Sequence, residues 1–250
     1  MLLRKPVLEY YLRGALKAMG WFLLVWTGIF VLTTTGVGII NIGGNANFNG
    51  AEFAFLIFFF IAGMSDFTAD LHFTLQHGVS RRSAFVSFIA YMLIAGAVWT
   101  MVLYLTTFVF GAIGSMMGSV RVENSFPLLY SGWLETTGTI SGGVVLFLLY
   151  WAALLMVGAL GYFIACLFYR ISTLGKTIFW AALIGSGVVL PLLNNLTGGL
   201  VWQAAQWLGQ TFIGRGAVPN PWNGIGVFLV FAAIWLVISW LLIRRCTLKK

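Results

Sequence analysis

Six long apolar runs, almost empty of charge, constrain this chain more than any other feature. They cover residues 20–40, 51–64, 83–113, 144–169, 177–196 and 224–243, and Glu52 is the one Asp, Glu, Lys or Arg inside them. A helix needs about 20 apolar residues to cross about 30 Å of hydrocarbon. The stretch 51–64 falls short of that and suits either a span or a buried, re-entrant segment. The 83–113 run is long enough to span with tilt or to project beyond the bilayer. A charge at the bilayer centre costs several kcal/mol, which fits the near absence of ionisable groups.

Composition closes off the soluble alternatives. Charged residues make up 8% of the chain and apolar ones 60%, against about 25% and about 45–50% in ordinary globular proteins. A folded surface could not be covered with polar groups, so a soluble enzyme or a nucleic-acid binder is excluded. Six spans and short loops use nearly the whole length, leaving no room for a soluble catalytic domain. The net charge of +8 belongs to the loops. With both termini inside, the inner segments hold twelve basic residues and the outer ones only Arg121 and Arg215. That asymmetry predicts cytoplasmic termini and an even number of crossings. Arg4, Lys5, Glu9, Arg13 and Lys17 interrupt the first 19 residues, so the chain is expected to insert without cleavage of a signal peptide.

Four pieces lie outside the spans. Residues 1–19 read as an amphipathic interfacial helix, with Leu8, Leu12, Leu16 and Met19 on one face and Glu9, Arg13 and Lys17 on another. Residues 65–82 read as a second amphipathic helix, capped by Ser65, striped by Phe67, Leu71 and Leu75, and stopped by Gly78, with Ser80 or Ser83 starting the next span. It is either a solvated connector or a docking helix that inserts its stripe into a soluble partner. Residues 198–223 put Val201, Ala204, Leu208 and Phe212 on one face and Gln203, Gln206 and Gln210 on another, an outer interfacial or re-entrant helix. Residues 114–143 read as a loop with little chemistry, and Gly114 and Gly118 have dimerisation spacing at its edge. Pro191 is expected to bend the fifth span.

Catalytic motifs are poorly matched. The stretch Arg170 to Thr177 lacks the first glycine of a phosphate loop, and no strand precedes it. His72 and His77, the only histidines, have no adjacent Glu in a zinc-protease pattern. Cys166 and Cys246 both fall toward the inner side, where thiols stay reduced. Glu52 is either a coupling or substrate group or an outer-interface carboxylate reaching water. Phe58, Phe59 and Phe60 are expected to face lipid.

The stretch Leu75-Gln-His-Gly-Val-Ser-Arg-Arg-Ser83 resembles the run with which a coupling helix ends before the third span in membrane subunits of ABC-2 type exporters. The interfacial N-terminal helix, six spans and outer re-entrant segment match that family's layout. The resemblance implies an all-α polytopic permease in the bacterial plasma membrane, one domain over 1–250, with no catalytic residues and no cofactor of its own. ATP and Mg2+ would be held by two cytosolic ATPase subunits. A second permease copy or paralogue would complete the path for an amphipathic or hydrophobic cargo, such as a peptide, a toxin or a lipid-like molecule. Small relatives of this kind export antimicrobial peptides or confer resistance to them. The implied ATPase contacts are Asp66, Phe67, Asp70, Leu71, His72, Leu75, His77, Arg81 and Arg82, with a second contact at Ile171, Ser172 and Leu174. Trp26, Asn41 and Glu52 are candidates for the substrate pathway. The rival readings are an ion channel or secondary carrier, which should show broken helices with polar midplane groups, and a non-transporting sensor or enzyme partner.

Overall fold

The computed structural model describes residues 5–34, 46–76, 78–117, 120–213 and 219–244. Among the described residues, nine helices and two four-residue strands follow in the order α1 Lys5–Thr34, β1 Ala46–Asn49, α2 Ala51–Gln76, α3 Arg81–Met117, β2 Val120–Glu123, α4 Ser125–Leu129, α5 Ser131–Thr136, α6 Thr139–Arg170, α7 Thr173–Leu196, α8 Leu200–Ile213 and α9 Pro221–Arg244. Four of the helices contain stretches long and apolar enough to cross a membrane: Leu8–Leu32, Arg81–Met116, Thr139–Arg170 and Pro221–Arg244. In α7, Thr173–Gly187 and Val189–Leu196 together make a fifth, bent by 53°. The bend sits where Pro191 removes the N–H that would have reached the Gly187 carbonyl. The strands pair in parallel, Ala46 opposite Val120 through Asn49 opposite Glu123, with α2 and α3 forming the crossover that parallel pairing requires.

Helix α6 is the centre of the bundle and packs against both α2 and α9. Its approach to α2 is set by glycine. A Cβ at Gly63 would stand 2.4 Å from the Gly158 carbonyl oxygen, and one at Gly161 would stand 2.2 Å from the Phe60 carbonyl oxygen. The two backbones therefore touch, as small residues permit in membrane helix pairs. Above and below this crossing the space is filled: Phe55, Phe59, Phe88, Leu103, Leu149 and Leu154 are all fully buried.

Several expectations are corrected. Residues 5–19 do not form a separate interfacial helix, because α1 runs unbroken from Lys5 to Thr34, well into the first apolar run. Its start lies along α3, with Tyr11 stacked on Tyr91 at 5.4 Å; Glu9 and Arg13 remain exposed and paired at 3.9 Å. Residues 65–76 likewise continue the helix that begins at Ala51. Ser65 caps nothing, since its hydroxyl donates to the Ala62 carbonyl inside α2. With no proline or chain-reversing residue before Gly78, nothing stops the helix sooner. Gly78 does end it, at φ 66°, and Ser80 caps α3 by accepting from the Ser83 amide at 3.2 Å. Gly114 lies inside α3, while Gly118 lies outside the described residues. Phe59 is buried in the core rather than lipid-facing, and Phe58 and Phe60 are half-buried.

The backbone contact makes a stability prediction. Gly161→Val should lower stability by about 1–3 kcal/mol or prevent folding altogether, read as a fall in the unfolding midpoint of the detergent-purified protein. Gly111→Ala, where nothing lies within 4 Å, should leave that midpoint unchanged or slightly raised.

Candidate functional site

The helix ends sort into two groups. At one end Arg81 Nη1 donates to the Arg244 carbonyl at 3.3 Å, Phe85 packs on Trp240 at 5.2 Å, and Phe168 packs on Phe179 at 5.1 Å. This end gathers Arg81, Arg82, Arg170, Lys176 and Arg244. It also receives the C-terminal part of α2. Phe67 is 2% exposed, edge-on to Tyr162 at 5.3 Å and to Tyr169 at 5.7 Å. The expected exposure of Phe67 as part of a docking stripe is thereby corrected: its ring is core, because α2 continues alongside α6 to the end of that helix. Residues 68–76 then carry α2 about 13 Å further than its contact at Tyr169, one residue from the end of α6.

The backbones of Asp66, Asp70, Leu71, His72 and Leu75 belong to α2, but their side chains are not described. His77 and Asn41 lie outside the described residues. Arg82 is exposed and Arg81 half-exposed. In the second contact Ser172 caps α7, accepting from the Gly175 amide at 3.3 Å; Leu174 is 70% exposed and Ile171 half-buried. Trp26, named for a substrate pathway, stacks on Phe22 at 6.0 Å and meets Phe55 edge-on at 6.3 Å. It is packed among aromatics.

The opposite end holds a constellation of a different kind. Glu52, in the first turn of α2, is fully buried. It therefore does not reach water as an interfacial carboxylate. Its Oε1 accepts from the Ser125 amide, the first of α4, so a carboxylate from one helix caps another. Beside it Asn124 Nδ2 donates to Thr107 Oγ1 of α3 at 3.2 Å. Tyr150, 2% exposed in α6, holds its hydroxyl beside Glu52 and Asn124, with Tyr104 perpendicular at 5.8 Å and Phe126 at 5.0 Å. Three buried atoms here have no hydrogen-bond partner: Glu52 Oε2, Asn124 Oδ1 and the Tyr150 hydroxyl. Elsewhere in the spans the buried hydroxyls of Thr100 and Ser239 bond back to their own helices, to Gly96 at 2.9 Å and Trp235 at 2.7 Å, while the buried Ser87 hydroxyl has no partner.

Sequence reasoning named Glu52 and missed Thr107, Asn124 and Tyr150. The segment 114–143 was expected to carry little chemistry; instead its Asn124 and Ser125 meet the carboxylate, and Tyr130, fully buried, seals the segment onto the bundle. The available signals were a polar Asn-Ser pair at a helix start and a tyrosine within an apolar span. On α8 Gln203, Gln206 and Gln210 are exposed, and so are Ala204 and Leu208 of the expected apolar face; Asn194 Oδ1 ties that helix to α7 by accepting from the Trp202 amide at 3.0 Å. No family model, curated protein or solved structure matches the chain.

Burial pushes the Tyr130 phenol above its ordinary value of 10.0. A raised native pKa means that its contribution to stability is complete below pH 10 and is lost as pH rises through the native value. Tyr130→Phe should flatten the alkaline fall of the unfolding midpoint above pH 10 and leave the midpoint at neutral pH nearly unchanged. A parallel alkaline profile in the variant would remove Tyr130 as the group responsible.

Proposed function

We propose that this chain is the membrane subunit of an ATP-driven exporter of the ABC-2 type, crossing the bacterial plasma membrane six times with both termini inside. The observation that carries this reading is the prolongation of α2 beyond its apolar stretch Glu52–Ser65, at the end of the bundle that gathers the basic residues. Residues 68–76 there form an amphipathic helical arm, ended by Gly78 and followed by Arg81 and Arg82. The basic residues at that end favour the cytoplasmic side, where a soluble ATPase would find both the arm and the 171–175 turn. In this reading α2 is the sixth crossing, its short apolar stretch completed by burial against α6.

The path for cargo lies between two permease copies, since the space between α2, α3 and α6 is filled by side chains. ATP binding to the partner pair would shift the permeases between inward- and outward-open arrangements, which requires nucleotide to bind the two states with different affinity. ATP and Mg2+ stay on the partner, and this chain contributes the apolar walls suited to amphipathic cargo. A secondary carrier is the second reading, favoured by the bent α7 and by the buried carboxylate of Glu52.

Cross-linking tests the arm. A His72→Cys chain in native membranes should form an adduct with a soluble ATPase carrying a phosphate loop, and Leu71→Arg or Arg82→Glu in that background should lower the adduct yield about tenfold or more. Phe67→Asp is unsuitable, because it would place a charge in the core. Full-strength transport by the purified chain alone, driven by an ion gradient without ATP, would transfer the assignment to the secondary carriers.

A further inference from the structure

The constellation around Glu52 has an imbalance that its own atoms do not correct. Ser125 N–H satisfies Oε1 and Thr107 Oγ1 satisfies Asn124 Nδ2. That leaves two bare acceptor oxygens, Glu52 Oε2 and Asn124 Oδ1, and one hydroxyl, Tyr150, able to donate a single proton. Among the described residues no Lys or Arg pairs with the carboxylate. An unpaired buried charge is expensive, and the Tyr150 beside it is itself packed against Tyr104 and Phe126.

We infer that Glu52, Asn124 and Tyr150 form a binding site for a single hard monovalent cation of the Na+ class. The donor set supports that chemistry. It consists of oxygens only, as hard cations prefer. It holds one negative charge, which balances one positive charge. Divalent ions are poorly suited, because all-protein sites for them gather several carboxylates; no group of three His, Cys, Asp or Glu occurs among the described residues. The site also has an evident role. Its ligands come from α2, α6 and the connection between α3 and α4, so a bound ion would clamp the segment 120–136 onto the outer ends of those helices. Asn124, Ser125 and Phe126 are half-buried and form the roof through which an ion would exchange. The assignment is independent of whether the chain works with an ATPase.

The test uses the purified full-length chain in detergent, titrated with NaCl at constant ionic strength held by choline chloride. The unfolding midpoint should rise saturably with Na+, Glu52→Gln should abolish the response, and Tyr150→Phe should weaken half-saturation about tenfold. Direct binding of radioactive Na+ should give one site per chain in the wild type and none in Glu52→Gln. Should Glu52→Gln fail to fold, the Tyr150→Phe titration decides alone. A midpoint that is indifferent to exchange of choline for Na+ would overturn the inference.

Discussion

Everything in this bundle is hung on the place where α2 and α6 touch backbone to backbone. Between lipid-facing helices there is no water to expel, so association depends on close contact and on interhelical polar groups. Gly63, Gly158 and Gly161 supply the closeness. Once the axes are fixed at that crossing, the positions of both ends of α2 follow. Phe55 and Phe59 lie in the core on one side of the crossing, and Phe67 reaches Tyr162 and Tyr169 on the other. A shift of one turn, about 5.4 Å, would lose all of these contacts together.

The same helix therefore carries both features of chemical interest. Glu52 stands in its first turn, buried against Asn124, Ser125 and Tyr150, and the amphipathic arm 68–76 forms its last turns. The rest of the molecule is less tightly held. Helix α7 is largely exposed, with Ile184 77% and Leu196 82% accessible, and it is bent at its proline. In a bilayer such a face meets lipid or another subunit.

Much of the fold was legible in the residues. The long apolar runs became helices, Gly78 ended α2, Ser80 began α3, Pro191 bent α7, and an amphipathic helix formed between the fifth and sixth runs. These are local effects, written in length, in a positive φ, in a missing N–H or in a nearby hydroxyl. The site was less legible. Glu52 was conspicuous as the lone charge in an apolar run, but its partners lie about 70 to 100 residues further along the chain. Residues 65–76 looked like a separate helix because their composition changes at Ser65, yet a polar residue does not break a helix whose backbone bonds are intact.

What the amino acids determine unaided is that several stretches are apolar enough to seek hydrocarbon and which end gathers the positive charge, since both depend on residue counts along the chain. Which face of each helix is buried was decided only in three dimensions. In water, amphipathic periodicity announces the inner face; in a chain apolar on every side, that signal vanishes, and packing geometry chooses instead. So Phe59 and Phe67 turn inward, three glycines bring two backbones together, and a carboxylate meets its neighbours from two distant segments.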